Sequence, residues 1–257
     1  MKEKRKPAET LADADGIIEG RNAVIEALRA GVTIDKIFLA RGETDAALGH
    51  IAGRAREEGI VVVEADRRKL DGMSRTHAHQ GVIALAAVRE YVDVDDILQI
   101  AQERGEVPLL VICDELSDPH NLGAVIRTAD CAGAHGVIIP KRRSAGLTAI
   151  VAKTSAGAVA HVPVARVPNL VATLKDLKSK GLWIYGSDGA ADTELYRADL
   201  TGPAAIVIGS EGEGMGRLVR ETCDVLLRIP MQGKINSLNA SAAAAILLYE
   251  AVRQRRK

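Results

Sequence analysis

From Val107 onward, apolar runs of strand length alternate with segments of helical pattern, and this alternation most constrains the fold. Such runs, apolar at consecutive positions, are typical of strands that are covered on both faces. Strands of this kind, separated by helices, form a parallel sheet between two helical layers. The sequence therefore predicts an α/β fold with a parallel sheet whose strands lie at 109–113, 136–139, 182–186, 204–209 and 225–229.

Helix signals separate these strands. Asp118 and Pro119 suit the N-cap and first position of a helix that continues through 122–132. A second helix, with leucines along one stripe, is predicted over 168–181. The last predicted helix, 239–253, is dense in alanine, which permits close backbone approach in a core or at a subunit interface.

Residues 16–90 have the pattern of a smaller α/β unit. Helices are predicted at 17–28 and 45–59, and strands at 34–40, 60–64 and 81–88. Charge and polarity then rise, so the sequence predicts four parts: a flexible basic arm at 1–15, the small unit at 16–90, a linker at 91–106 and the large domain at 107–257.

Composition excludes several function classes. The 34 Lys and Arg residues balance 34 Asp and Glu, which argues against a protein that coats nucleic acid nonspecifically. Aromatic residues make up 2%, too few to favour a base-stacking platform. Three cysteines without a CxxC pair predict neither a disulfide framework nor a zinc finger. No apolar run reaches the ~18–20 residues of a membrane span, and the charged start lacks a signal core, so we expect a cytoplasmic protein.

Three polar or glycine-rich segments follow predicted strands and lead into helices. The first, at 116–139, carries Asn121 and Arg127; the second, AAIVIGSEGEGMG, is at 204–216; the third, at 228–252, contains Ser237-Leu238-Asn239. Each alone is explained by caps, a glycine turn or a surface ion pair. Because open α/β sheets bind ligands at the carboxyl ends of their strands, the convergence of all three favours a site.

Neither common phosphate-binding motif matches the glycine-rich segment. It lacks the Gly-Lys-Ser/Thr ending of a P-loop, and its GxxGxGxG spacing late in the chain differs from the Rossmann fingerprint. His77 and His79 form an HxH pair without a third ligand, so no metal is expected; these histidines suit internal hydrogen bonds or RNA contact.

Together the three segments resemble the three motifs of the SpoU/TrmH group of the SPOUT RNA methyltransferases. NxxxxxR, GxEGxG and IPMxGxxxSLN occur in that order across the second unit. The first unit, with IIEGRNAVIEAL near its start and HQGVIA near its end, is similar to the L30e-like RNA-binding domain of the ribosomal RNA members. The resemblance implies a small L30e-like N-terminal α/β domain and a C-terminal parallel-sheet domain with a deep trefoil knot.

The resemblance also implies a cofactor and partners. S-adenosylmethionine would be held by backbone groups at Gly209, Ile229 and Leu238, with Gly214 and Met231 beside them. Its methyl group would pass to a ribose 2′-hydroxyl, of a guanosine in 23S ribosomal RNA. A homodimer through the C-terminal domain is expected, with no metal and no membrane.

The residues that match the family's catalytic motifs are Arg127, Asn121, Glu211, Ser237 and Asn239. In the family the arginine is the proposed base or hydroxyl activator. Because an arginine keeps its proton in nearly all proteins, binding of the target phosphate is an equally economical role. Glu211 would orient Arg127 or hold its loop, while the remaining three would shape the loops and contact substrate.

Three alternatives stay open at this point. The same chemistry could act on tRNA, or on a different ribosomal nucleotide, including an adenosine. A noncatalytic RNA-binding or ribosome-assembly factor could be built on the same fold. The complete polar set counts against the noncatalytic factor, since a pure binder does not need it.

Overall fold

The computed structural model describes residue 12, residues 16–43 and residues 45–256. One compact unit comprises the described residues up to Glu90 together with Gly146–Ala149, and the other comprises Tyr91–Ala145 and the described residues from Ile150 onward. The predicted basic arm at 1–15 lies outside the described residues except for Ala12. No helix within the described ranges is both long and apolar enough to cross a membrane.

The first unit is a four-stranded sheet with helices on its two faces. Its elements are β1 (Ile17–Glu19), α1 (Arg21–Arg29), β2 (Ile34–Ala40), α2 (Ala46–Glu57), β3 (Val61–Ala65), α3 (Arg67–Met73) and β4 (Val82–Ala86). The strand order is β1-β4-β2-β3, with β2 parallel to β3 and antiparallel to β4. Alternate side chains of β2 serve two cores: Ile37 packs with the residues of α1 and α2, whereas Phe38 packs with Leu70 of α3.

The start of this unit differs from its prediction. Residues 17–19, predicted as the first turn of a helix, form β1 and pair antiparallel with β4. Gly20, with a φ of 89°, ends the strand, and α1 starts only after it. A φ in this range favours glycine, so the chain changes direction between strand and helix at this residue.

His79 is the buried member of the HxH pair. Its Nε2 lies 2.9 Å from Asp71 Oδ1, and its Nδ1 accepts a hydrogen bond from the backbone N–H of Gly81 at 3.0 Å. Both ring nitrogens therefore have partners within the unit, which explains how this polar ring is accommodated in the interior.

The second unit contains the parallel sheet. Its elements are α4 (Val94–Arg104), β5 (Leu109–Cys113), α5 (Pro119–Cys131), β6 (Gly136–Pro140), α6 (Ala149–Thr154), β7 (Val164–Val167), α7 (Leu170–Ser179), β8 (Trp183–Ser187), β9 (Thr193–Glu194), β10 (Ala204–Ile208), α8 (Arg217–Thr222), β11 (Val225–Arg228) and α9 (Ala240–Arg255). The strand order is β7-β6-β5-β10-β8-β11-β9, and every pairing is parallel. The predicted parallel α/β fold is confirmed, whereas the trefoil knot stays a prediction.

The central strands of this sheet are the most buried. Every residue of β5 and of β10 is buried, as the consecutive apolar runs predict. Helix α5 begins as predicted: the Asp118 carboxylate accepts the N–H of His120, and Pro119 takes the first helical position. For α7 the cap is Asn169, whose side chain accepts the N–H of Ala172 at 3.1 Å.

The segment predicted as a linker, 91–106, is instead part of the second unit. It forms α4, whose start has a capping box of Asp93 and Asp96. Ile97 and Ala101 are fully buried, and Ile97 packs so closely on Gly136 that a Cβ there would lie 2.6 Å from its Cδ1. The polar residues of this segment cover the exposed face of a helix, and only a narrow stripe enters the core.

Candidate functional site

The carboxyl ends of β8, β10 and β11 border a cavity of about 510 Å³. Its walls come from the loop 187–190 after β8, the loop 209–215 after β10 and residues of 229–238 after β11. Ala240 and Ala243 of α9 close one side. This is the edge at which open α/β sheets bind ligands, and the size suits a small organic molecule.

Most residues singled out in the sequence lie at this cavity. All five residues predicted to contact the cofactor line it: Gly209, Gly214, Ile229, Met231 and Leu238. Two of the predicted catalytic residues, Glu211 and Ser237, line it as well. Two segments of the chain that are distant from each other in sequence, the glycine-rich one and the SLN one, therefore meet at one place.

Backbone geometry explains the glycines. A Cβ on Gly209 would lie 2.2 Å from the carbonyl carbon of Gly214 and 2.4 Å from the nitrogen of Met215. Ser210 and Gly214 exchange two backbone hydrogen bonds, of 2.9 and 3.1 Å, which fold the loop back on itself. Gly209 is therefore required because two stretches of backbone approach each other where its side chain would be.

A buried carboxylate fixes the end of this loop. The N–H of Gly216 donates to Asp114 Oδ2 at 2.8 Å, and Asp114 follows directly after β5. Burial raises the pKa of Asp114 and nearby Glu115 adds to this, although the Gly216 N–H acts in the opposite direction. Sequence reasoning missed this residue; its signal was a carboxylate directly after an apolar strand.

Three polar side chains from three segments form one hydrogen-bonded cluster: Asn121, Glu211 and Asn239. Glu211 Oε1 accepts from the Nδ2 groups of Asn121, at 3.0 Å, and of Asn239. The Asn239 amide also donates to Asn121 Oδ1 at 2.9 Å, while its own Oδ1 caps α9 by accepting the N–H of Ser241. One carboxylate thus joins the starts of α5 and α9 to the glycine-rich loop through charge-assisted hydrogen bonds.

Arg127 lies apart from this cluster. It is exposed on α5, does not line the cavity, and has no hydrogen bond or ion pair with any residue that the structure describes. Glu211 contacts the two asparagines and not this arginine. The guanidinium is therefore available to a partner outside the described chain.

An ion pair that the sequence patterns did not single out lines the cavity. Arg220 Nε donates to Asp188 Oδ2 at 2.5 Å, and Asp188 Oδ1 accepts the N–H of Ala190 at 2.8 Å. Burial raises the pKa of Asp188, but these two hydrogen bonds outweigh it and hold that pKa below its usual range. The carboxylate therefore stays charged at neutral pH.

The charged residues that line the cavity favour a small ligand that carries positive charge. Among the described residues that line it, Asp188, Glu211 and Glu213 are carboxylates and Arg220 is the one cation. Within the described ranges, no three His, Cys, Asp or Glu side chains are grouped so that they could hold a metal ion.

Comparison with known proteins gives consistent matches. The SpoU rRNA Methylase family matches residues 108–249, and the family of RNA 2′-O ribose methyltransferase substrate binding matches residues 17–92. A Bacillus subtilis protein, YacO, named for the TrmH family of tRNA/rRNA methyltransferases, is 49% identical, covering 92% of this chain and 94% of the relative.

Two solved structures are similar over nearly the whole chain. The SpoU methyltransferase AviRb of Streptomyces viridochromogenes, in complex with the cofactor AdoMet, is 27% identical with a TM-score of 0.59, covering 93% of this chain and 91% of that one. An AdoMet-bound rRNA methyltransferase of Sinorhizobium meliloti is 25% identical with a TM-score of 0.60, covering 95% and 89%.

The close approach at Gly209 gives a first prediction. Gly209→Ala is expected to lower the free energy of unfolding by about 1–3 kcal/mol, because the added methyl group overlaps backbone that has no room to move. Urea unfolding followed by circular dichroism measures this. Gly202→Ala is the matched control, since a Cβ there has no neighbour within 4 Å; equal stability of both variants would contradict the account.

Proposed function

The chain belongs to the SpoU family of RNA methyltransferases, which use S-adenosylmethionine, and we propose that it methylates the ribose 2′-hydroxyl of a guanosine in 23S ribosomal RNA. The observation that carries this proposal is the cavity at the carboxyl edge of the sheet, lined by all five residues expected to contact the cofactor. A parallel sheet and a glycine-rich loop alone would suit many ligands. Here residues of the GxEGxG and IPMxGxxxSLN motifs line one cavity, and this favours S-adenosylmethionine as the ligand.

The cofactor site of this proposal is the cavity itself. Backbone groups at Gly209, Ile229 and Leu238 hold S-adenosylmethionine, and Gly214 and Met231 border it. When bound, the cofactor supplies a methyl group activated by its sulfonium. The cavity carboxylates favour this cation. Gly209 lets the two stretches of backbone that border the cavity approach each other closely.

The polar cluster positions the reacting groups. Glu211 fixes Asn121 and Asn239, so that the loops bordering the cavity keep one arrangement while the ribose hydroxyl is aligned with the methyl group. Ser237 is exposed at the cavity wall and contacts the RNA. Arg127 binds a phosphate of the target nucleotide, a role that its exposure and its free guanidinium support better than that of a base.

The first unit, residues 16–90, binds the RNA in this proposal. Its match to the substrate-binding family supports this. Glu19 accepts hydrogen bonds from Ser74 Oγ at 2.6 Å, the N–H of Arg75 at 2.7 Å and Thr76 Oγ1 at 2.7 Å. The loop after α3 is thereby held in place with the side chains of Arg75 and His77 exposed.

Ribosomal RNA is preferred over tRNA because both units are present. The Sinorhizobium protein, named an rRNA methyltransferase, aligns with 95% of this chain and therefore with the substrate-binding unit as well. Relatives such as the Bacillus protein carry both tRNA and rRNA in their names, so tRNA is the alternative substrate to test.

Transfer of radiolabelled methyl from S-adenosylmethionine to unmodified 23S ribosomal RNA, 16S ribosomal RNA and tRNA tests the substrate. We expect label in 23S RNA alone, at a guanosine, and resistance of one phosphodiester bond to alkali, because a 2′-O-methyl group blocks the hydroxyl that attacks it. Label in tRNA alone would overturn the ribosomal assignment. Cofactor binding without label in any RNA would contradict naked 23S RNA as the substrate.

Arg127→Ala is expected to lower methyl transfer about 100-fold, because the target nucleotide is then no longer held in line with the methyl group. The calorimetric affinity for S-adenosylmethionine should stay unchanged, because the side chain lies outside the cavity. Arg104→Ala, which removes another exposed arginine of the second unit, is the control and should retain full activity. Turnover by the Arg127 variant close to that of the unchanged protein would exclude the proposed role.

A homodimer through the second unit completes the proposal. Tyr249 of α9 and Ile150 of α6 are 48% and 45% exposed, and such apolar side chains suit an interface. Light scattering after size exclusion should give twice the chain mass of 27.3 kDa, and Tyr249→Asp should shift it to the single-chain mass. Trp183→Asp, at a similarly exposed aromatic, should stay dimeric; a monomeric unchanged protein would disprove the dimer.

A further inference from the structure

Negative side chains outnumber positive ones at the cavity. Among the described residues that line it, three are carboxylates and one, Arg220, is a cation. A ligand with more positive than negative groups matches this set, because each ligand charge then lies near an opposite charge. Arg220 already pairs with Asp188, and it can in addition bind an anionic group of the ligand, since a carboxylate or phosphate is what a guanidinium binds best.

Only one nitrogen of the Arg220 guanidinium, Nε, donates a hydrogen bond to a described residue. Its Nε donates to Asp188 Oδ2, and its Nη1 and Nη2 atoms donate to no residue that the structure describes. Asp188 is itself fixed by the N–H of Ala190, and its side chain is 17% exposed against 46% for Arg220. The ion pair therefore orients a planar fork whose two terminal donors remain for a ligand in the cavity.

We propose that Arg220 binds the carboxylate of the amino-acid end of S-adenosylmethionine through its terminal nitrogens, with Asp188 as the positioning residue. This rests on the proposed placement of the cofactor in the cavity. S-adenosylmethionine carries two cations, the sulfonium and the ammonium, and one anion, the carboxylate. The carboxylates of the cavity suit the cations, and Arg220 is the lining group that suits the anion.

Charge also decides against an RNA phosphate as the ligand of Arg220. A phosphate brought to this arginine would enter a cavity lined by Asp188, Glu211 and Glu213, and like charges at close range are unfavourable. Arg127, exposed and outside the cavity, meets no such repulsion from the cavity carboxylates. The two arginines therefore take different anions.

A ligand pair that differs by one group tests this. Calorimetry with S-adenosylmethionine and with its decarboxylated form, which keeps the sulfonium and the ammonium, measures what the carboxylate contributes. We expect the unchanged protein to prefer S-adenosylmethionine by about tenfold or more. In Arg220→Ala this preference should disappear, because the affinity for S-adenosylmethionine falls whereas that for the decarboxylated form does not. Arg220→Lys should keep part of the preference.

Controls separate the possible failures. Arg217→Ala removes an exposed arginine of the same helix, whose partner is Glu221, and should keep the full preference. An equal loss of affinity for both ligands in Arg220→Ala would show a structural role only and overturn the proposal. Loss of RNA affinity with unchanged cofactor affinity would assign Arg220 to phosphate, which also overturns it. Failure of the unchanged protein to bind either ligand would contradict the cofactor site itself.

Discussion

The parallel pairing of β5 with β10 is the constraint on which the rest of the second unit depends. Ala204 lies opposite Leu109 and Ile208 opposite Cys113, and every residue of both strands is buried. Because the strands run in the same direction, the loops that follow them leave the sheet at one edge. Asp114, directly after β5, can therefore accept the N–H of Gly216. The cavity forms at this edge, where the carboxyl ends of neighbouring strands lie close together.

A single carboxylate then connects elements that the sheet only brings near each other. Glu211 joins Asn121 of α5 to Asn239 of α9, residues that are 118 positions apart in the chain. This connection fixes the glycine-rich loop relative to the starts of both helices. The Asp188–Arg220 pair similarly joins the loop after β8 to α8. Charged groups at the cavity are therefore fixed in place before a ligand binds.

The sequence was most informative where one physical signal dominates. Long apolar runs predicted β5 and β10. The family resemblance selected Asn121, Glu211 and Asn239 as members of one polar set, and these three side chains form a hydrogen-bonded cluster that does not include Arg127. Elements with short or mixed sequence patterns were not predicted. Strand β1 has only three residues and β7 has four, and α4 buries so narrow a stripe that its sequence is typical of a linker. The Arg220–Asp188 pair joins a residue of α8 to one in the loop after β8, a contact that no local pattern encodes.

The central claim is that the glycine-rich loop and the SLN segment form one cofactor cavity at the carboxyl edge of the sheet. A crystal structure of the full chain with S-adenosylhomocysteine, the product of methyl transfer, tests it most directly. The account predicts the ligand inside the cavity, within hydrogen-bond distance of backbone at Gly209, Ile229 and Leu238, with Glu211 still bonded to both asparagines. Ligand bound at any other place on the chain would contradict it.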